Sequence, residues 1–169
     1  MDDIQRFIRG GASKATATHL ESYTRNRGHA IIAGLGFGMD GVVVELDCRS
    51  AVKAFDREAG YRTELQVYQR LNEHHVQQIR GHSVPQLLDH NDELRVIEMS
   101  IVQRPYILDF AKATVDAPPD FPEEIMTEAR QRWAERLGDR WPDVVAIMYE
   151  MQRKYRVYLL DPSPTNITF

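Results

Sequence analysis

The segment Gly36-Phe37-Gly38-Met39-Asp40-Gly41-Val42-Val43 decides how this sequence is interpreted, because it fits the pattern G-x-G-x-x-G-x-V at every specified position. Glycines let a backbone pass close to phosphate groups and point its N–H groups at them without a Cβ in the way. A glycine-rich hairpin turn that binds nothing gives the same pattern, so the motif alone leaves both interpretations open.

The residues around the motif favour an antiparallel sheet with one helix. Five short runs rich in apolar and β-branched residues are separated by turn residues, which is typical of strands; they lie at 29–35, 41–46, 51–55, 86–88 and 94–99. Asp56 is a suitable N-cap for a helix that extends to about Asn72, between the third and fourth strands. The sequence therefore predicts an α+β fold.

Lys53 stands at the centre of the third run, where a buried charge is costly unless it is paired. Glu64 lies three residues after Tyr61 and four before Tyr68, which places it within the apolar face of the predicted helix. We therefore predict an ion pair between Lys53 and Glu64. Glu58 is the rival partner for the lysine, and a surface lysine whose ammonium reaches water is the alternative.

With these features the sequence resembles the protein kinase-like superfamily over residues 34–169. The glycine motif runs directly into a valine-rich strand, as in protein kinases, whereas a Rossmann site needs a helix that begins inside the motif. The resemblance implies a kinase-like N-lobe with a five-stranded antiparallel sheet and one helix. It also implies contacts to ATP from Gly36, Gly38, Gly41, Val43, Lys53 and Glu64, and adenine contacts from backbone groups of Glu98 to Ser100.

The segment Asp161-Pro162-Ser163-Pro164-Thr165-Asn166 resembles the kinase catalytic loop D-x-x-P-x-N. In that family the Asp accepts the hydrogen bond of the substrate hydroxyl and the Asn holds a magnesium ion. The resemblance thus implies that Asp161 acts with Lys53 in catalysis and that Asn166 binds Mg²⁺. A second alignment makes Asp161 itself the metal ligand and leaves no catalytic base, and a proline-stiffened turn without any ligand is a third interpretation.

Two departures from the family pattern bear on activity. Leu159-Leu160 stands where kinases carry His-Arg, and no Asp-Phe-Gly follows Asn166 in the sequence. The resemblance therefore implies an ATP–Mg²⁺ binding protein with weak phosphotransferase activity. The alternatives are a pseudokinase that acts as a protein-interaction module without catalysis, and a small α+β protein that binds no nucleotide.

The predicted organisation has three parts. Residues 1–28 form an N-terminal extension, 29–103 the N-lobe, and 104–169 a short, incomplete helical subdomain, with the nucleotide in a cleft between the last two. Apolar residues at helical spacing predict helices over 123–137 and 144–155, and a short helix is expected at 106–113. An incomplete subdomain exposes apolar helix faces, so a homo-oligomer or a protein partner is expected to cover them.

Composition excludes several classes of protein. The 169 residues include 43% hydrophobic and 27% charged residues, with a formal charge of −4, which is ordinary for a globular domain and unfavourable for nucleic-acid binding. The longest apolar stretch, 30–39, is too short to span a membrane, and an acidic start without an apolar leader predicts a cytoplasmic protein. The single cysteine cannot supply a CxxC zinc site, and the six histidines show no metal-ligand spacing.

Overall fold

The computed structural model describes residues 6–8, 10, 12–38, 40–107, 110, 112–118 and 120–169. The chain forms two compact units. The first comprises Met1–Leu65 with Gln86–Ile101, and the second comprises Gln66–Pro85 with Val102–Phe169. Within the described residues, no helix has both the length and the hydropathy that a membrane crossing requires.

The described elements follow one another in a mixed order of helices and short strands. In chain order they are α1 (Lys14–Arg27), β1 (Ile31–Gly38), β2 (Gly41–Leu46), β3 (Ser50–Phe55), α2 (Glu58–Glu73), β4 (Gln78–Ile79), β5 (His82–Ser83), β6 (Leu87–Asn91), β7 (Val96–Ser100), β8 (Tyr106–Ile107), β9 (Thr114–Val115), α3 (Glu123–Leu137), a 3₁₀ turn (Gly138–Arg140), α4 (Trp141–Glu150), a π-helical turn (Met151–Tyr155), β10 (Val157–Tyr158) and β11 (Ile167–Thr168).

A five-stranded antiparallel sheet forms the centre of the first unit. Its strand order is β1-β2-β3-β7-β6, and α2 follows β3 in the chain. The five strands and the helix lie where the sequence predicts them, apart from shifts of a few residues at their ends. The predicted α+β fold with one five-stranded antiparallel sheet is confirmed.

Successive side chains of a strand point to opposite faces of the sheet. In the first unit both faces are covered. Val52 and Ala54 of β3 belong to one hydrophobic core with Leu20 and Tyr23 of α1, so α1 covers this face. Lys53, between them in sequence, points to the other face and contacts Glu64 of α2. The strand is therefore buried on both sides, which explains why all six residues of β3 are buried.

Helix α1 is bounded by ordinary capping residues. Its N-cap, Ser13, accepts a hydrogen bond from the backbone N–H of Thr16, and Gly28 ends the helix in the left-handed conformation at φ 71°. The buried residues Thr16, Leu20, Tyr23 and Thr24 recur at helical spacing on one face. Two of these four are threonines, so the buried face of α1 does not stand out as apolar in the sequence.

The second unit combines short strands with helices. A four-stranded sheet has the order β11-β8-β5-β4, and β9 pairs with β10. Helix α3 occupies 123–137 as predicted, whereas the predicted helix 144–155 is divided into α4 and a π-helical turn. The predicted short helix over 106–113 is wrong, because Tyr106 and Ile107 pair with β11 as a strand and the other described residues there are not helical.

The Asp56 carboxylate joins β3 to the start of α1 and does not serve as the predicted N-cap of α2. Its Oδ1 accepts hydrogen bonds from the Thr16 hydroxyl and from the backbone N–H of Ser13, the latter at 3.2 Å. Partial burial raises the pKa of Asp56, but these hydrogen bonds outweigh that effect and hold it below its ordinary value.

We expect Asp56→Asn to lower the free energy of unfolding at pH 7 by about 1 kcal/mol, since two hydrogen bonds to a carboxylate are weakened. A carboxyl group whose pKa is lower in the folded than in the unfolded state stabilises the fold at pH values above its unfolded pKa. That stabilisation disappears as the pH falls through the folded pKa. Urea unfolding of both proteins should therefore show a difference at pH 7 that shrinks as the pH is lowered through the range in which Asp56 of the folded protein becomes protonated. A difference that stays constant with pH would contradict this account.

Candidate nucleotide-binding site

A buried ion pair joins the central strand of the sheet to α2. Lys53 Nζ lies 2.7 Å from Glu64 Oε2, and the two side chains are 10% and 1% exposed. The predicted pairing of these residues is confirmed. The rival carboxylate, Glu58, is 69% exposed and lies 3.4 Å from Arg62 on the surface of the same helix.

Strand register places this pair beside the end of the glycine motif. Val43 is the cross-strand partner of Lys53 on β2, and Ile97 is its partner on β7. The Lys53 ammonium also lies 5.0 Å from the centre of the Phe55 ring, a cation–π distance. The lysine is thus fixed by its strand neighbours and by Glu64 on the face of the sheet that α1 does not cover.

The glycine motif forms the hairpin between β1 and β2. Gly38 pairs with Gly41 where β1 and β2 meet. Gly41 has φ +145°, and a Cβ added there would lie 1.9 Å from the carbonyl oxygen of Ala54. A side chain at position 41 therefore collides with β3, so this glycine is required by the close approach of two strands.

Gly36 differs from Gly41 in its surroundings. It pairs with Val43, and a Cβ added to it would meet no other atom within 4 Å. Among the residues that the structure describes, no close approach explains a glycine at this position. Open space beside a glycine is what an approaching ligand needs.

Asp40 brings a negative charge to the turn of the hairpin. A Cβ built on Gly60, in the first turn of α2, would lie 3.6 Å from Asp40 Oδ1, and Arg57 Nη2 is 4.0 Å away. The positive end of a helix and a guanidinium both favour a carboxylate. The charge of Asp40 is therefore partly balanced by groups on the side of α2.

Glu98 directs its side chain to the face of the sheet opposite Lys53. Its carboxylate accepts hydrogen bonds from the Tyr23 hydroxyl at 2.7 Å and from the Ser50 hydroxyl at 2.6 Å. Burial, followed by the carboxylates of Glu98 and Asp89, raises the pKa of Tyr23, so its hydroxyl remains a donor. Sequence patterns did not reveal this buried cluster, because α1 and β7 are far apart in the chain.

The backbone at the end of β7 is engaged in the sheet. The N–H of Ser100 donates to the carbonyl oxygen of Gln86 at 2.9 Å, and Glu98 pairs with Val52 on one side and Asp89 on the other. Adenine contact by Glu98 to Ser100 stays a prediction, and the Ser100 N–H already has a partner.

The loop that contains Asp161 and Asn166 lies in the second unit. The Asn166 side-chain Nδ2 donates to the carbonyl oxygen of Asp161 at 2.9 Å, and its backbone N–H donates to Ser163 at the same distance. Asn166 is 9% exposed, whereas Asp161 is half-buried. Across the part of the chain that the structure describes, no hydrogen bond or ion pair involves the Asp161 carboxylate. The roles of Asp161 and Asn166 stay predictions.

Comparison with known proteins gives two structural neighbours. No protein-family model matches the chain, and no curated protein does. The chain is similar to APH(2")-IIa in its ternary complex with streptomycin and ATP, with 17% identity and a TM-score of 0.40 over 52% of this chain and 28% of that one. It is also similar to the ADP-bound aminoglycoside phosphotransferase APH(2'')-Ib, with 13% identity and a TM-score of 0.43 over 80% of this chain and 39% of that one.

The chain spans less than two fifths of the length of either neighbour. The first unit contains the elements that the sequence resemblance to protein kinases implies. A glycine hairpin leads into a strand with an inward lysine, and the helix that follows supplies the carboxylate for that lysine.

We expect Lys53→Met to lower the free energy of unfolding by about 3–5 kcal/mol, because the Glu64 carboxylate then keeps its burial but loses the ammonium. The double variant Lys53→Met with Glu64→Leu should recover most of this loss, since apolar residues of similar volume often replace a buried ion pair without destabilisation. Urea denaturation at pH 7 measures all three proteins.

Glu58→Gln is the matched control, because it removes a carboxylate from the exposed pair with Arg62 on the same helix. Exposed pairs contribute between about 0 and 1 kcal/mol, so this variant should be nearly as stable as the wild type. If Lys53→Met alone is as stable as the wild type, the ion pair does not stabilise the packing of α2 on the sheet.

Proposed function

We propose that this protein binds ATP through the face of the first unit that carries Lys53 and the glycine hairpin. The observation that carries the proposal is the buried ion pair of Lys53 with Glu64, in register with the motif residue Val43. ATP–Mg²⁺ is the ligand class because its phosphates combine a high negative charge with several acceptor oxygens.

A buried ion pair is a poor means of stabilising a fold. The desolvation of both charges offsets most of their attraction, and apolar replacements are often as stable. A lysine held at a fixed position by a carboxylate is, however, well suited to a phosphate, because its position costs no further ordering when the ligand arrives. Function therefore accounts for the Lys53–Glu64 pair better than stability does.

The hairpin supplies the second part of the phosphate site. Backbone N–H groups of a glycine-rich turn can point at phosphate oxygens where no Cβ intervenes. Gly36 has the open space that this requires, while Gly41 is already explained by its approach to Ala54. We therefore assign ligand approach to Gly36 and a structural requirement to Gly41. Gly38 and Val43 belong to the same proposed site through their positions in the motif.

We expect ATP with Mg²⁺ to raise the thermal unfolding midpoint of the wild type, because a ligand that binds only the folded state stabilises it. Gly36→Ala should keep the midpoint of the free protein and weaken ATP binding by about tenfold or more, as a Cβ crowds the phosphates. Differential scanning fluorimetry and isothermal titration calorimetry with ATP measure the two effects.

Gly10→Ala is the matched control, since a Cβ at Gly10 also meets nothing within 4 Å and the residue lies outside the hairpin. It should bind ATP as the wild type does. If Gly36→Ala also binds ATP with unchanged affinity, the hairpin is only a turn and the phosphate assignment is wrong.

We further propose weak phosphotransfer that depends on Asp161 and Asn166. Phosphoryl transfer relies mainly on positioning and on stabilisation of charge that spreads over the phosphate oxygens. The Asp161 carboxylate has the chemistry to accept the proton of an acceptor hydroxyl. Carboxylate and amide oxygens are also ligands that Mg²⁺ accepts, and one or two protein ligands with phosphates suffice to bind it. The donors of this loop therefore fit a magnesium ion.

Asp161→Asn separates the two roles that the loop allows. If Asp161 orients the acceptor, the variant should lose ATP turnover by about 100-fold or more while its ATP affinity stays nearly unchanged. If Asp161 is the metal ligand, the same variant should bind ATP–Mg²⁺ more weakly. Phosphate release from ATP and calorimetric ATP titration, both with and without Mg²⁺, distinguish these outcomes.

A protein-interaction module without catalysis is the second candidate. Ile125 of α3 and Val145 and Tyr149 of α4 are large apolar residues that are exposed within the second unit. Exposed apolar side chains on neighbouring helices favour contact with another protein surface. A wild-type protein that neither binds nor turns over ATP would leave this candidate as the better account.

A further inference from the structure

Three metal-ligating side chains of different chemistry meet at one end of the sheet in the first unit. His29 precedes β1, and Asp47 and Cys48 form the turn between β2 and β3. The His29 Nδ1 lies 3.0 Å from Asp47 Oδ1. A ligand atom from each of the three residues lies within 4.8 Å of the other two.

The backbone fixes this arrangement independently of the side chains. The N–H of Asp47 donates to the carbonyl oxygen of Ala30 at 3.0 Å, and the N–H of His29 donates to the carbonyl oxygen of Thr24 at 3.0 Å. Ile31 then pairs with Leu46 at the start of the β1–β2 ladder. Sheet register therefore holds His29 against the turn, whatever the rotamers of the three side chains.

We propose that His29, Asp47 and Cys48 form a binding site for a divalent transition-metal ion such as Zn²⁺. Zinc binds thiolate sulfur, imidazole nitrogen and carboxylate oxygen at about 2.0–2.3 Å in a tetrahedral arrangement. Three protein ligands leave the fourth position to water, which the exposure of Asp47 and Cys48 permits. Binding releases the thiol proton of Cys48 to solvent, since the thiolate is the form that binds the metal.

The donor set discriminates between metals. Mg²⁺ and Ca²⁺ prefer six or more oxygen ligands, and only the Asp47 carboxylate supplies oxygen among these three side chains. Thiolate and imidazole donors favour Zn²⁺ and Co²⁺ instead. The site is thus chemically distinct from the proposed ATP–Mg²⁺ site, and its test does not depend on nucleotide binding.

A bound ion would connect the end of α1 to the sheet. His29 directly follows Gly28, where α1 ends, while Asp47 and Cys48 lie on the β2–β3 turn. Because the metal binds the folded arrangement of both segments, it should raise the midpoint of thermal unfolding.

The reaction of Cys48 with a thiol reagent tests the site in the reduced full-length chain. Cys48 is the only cysteine, so the reaction with Ellman's reagent reports one thiol. We expect ZnCl₂ to slow this reaction by about tenfold or more, because a metal-bound thiolate is a poorer nucleophile. CoCl₂ should produce a thiolate-to-cobalt charge-transfer band in the near ultraviolet, and MgCl₂ should produce neither effect.

Variants locate the ion. Loss of a residue that only supports a metal ligand typically lowers metal affinity 10- to 100-fold. Loss of a ligand itself should cost at least as much, so we expect His29→Ala and Cys48→Ser each to weaken Zn²⁺ binding by about tenfold or more. His90→Ala is the matched control, because His90 and Asp92 form a similar pair at 3.5 Å in the same unit. It should bind Zn²⁺ as the wild type does.

Two results would overturn the proposal. One is an unchanged rate of Cys48 modification when Zn²⁺ is added to the wild type. The other is calorimetric Zn²⁺ affinity that His29→Ala and Cys48→Ser leave unaltered, which would place the ion elsewhere. Circular dichroism of each variant verifies that the fold is retained, and Asp47→Asn provides a third, independent substitution in the site.

Discussion

A buried lysine needs a carboxylate beside it, and the architecture of the first unit meets this requirement. Lys53 lies in β3, which has β2 and β7 beside it and is buried along its whole length. An isolated ammonium is very costly there. Helix α2 supplies a carboxylate beside it, that of Glu64 at 2.7 Å. The position of α2 on the sheet, the inward turn of Glu64 and the register of β2 with β3 are therefore coupled to one interaction.

The two faces of the sheet each contain a buried carboxylate, and the partners of these two carboxylates differ. On the α1 face, the carboxylate of Glu98 accepts hydrogen bonds from the hydroxyls of Tyr23 and Ser50 and lies 3.7 Å from Arg27 Nη2, and the contacts to Tyr23 and Arg27 join α1 to the sheet. On the other face, Glu64 is paired with a cation whose own chemistry suits an anionic ligand. The first arrangement belongs to a core that α1 covers, whereas the second is the one for which we propose phosphate binding. This contrast distinguishes structural from functional burial within one sheet.

Contacts between residues close in the chain could be predicted from the sequence, whereas contacts between distant residues that the sheet brings together could not. Lys53 and Glu64 are 11 positions apart, and strand alternation with helical periodicity is sufficient to aim them at each other. Tyr23 and Glu98 are 75 positions apart, and no periodicity in either segment indicates their contact. His29 and Asp47 are 18 apart, and their meeting depends on the register of β1 with β2, which spacing rules for metal ligands do not include. The short helix expected at 106–113 failed similarly, because β8 exists only through its pairing with β11 and β5.

The glycine motif shows why a pattern alone could not decide between a turn and a phosphate site. Gly41 is demanded by the fold, since a Cβ there would stand 1.9 Å from the Ala54 carbonyl oxygen. Gly36 meets no such constraint among the described residues, because a Cβ added there would have no atom within 4 Å apart from those of its chain neighbours. A sequence pattern does not distinguish the two glycines, although Gly41 is required by the approach of two strands and Gly36 has open space beside it. The fold therefore explains Gly41, whereas for Gly36 we propose contact with a ligand.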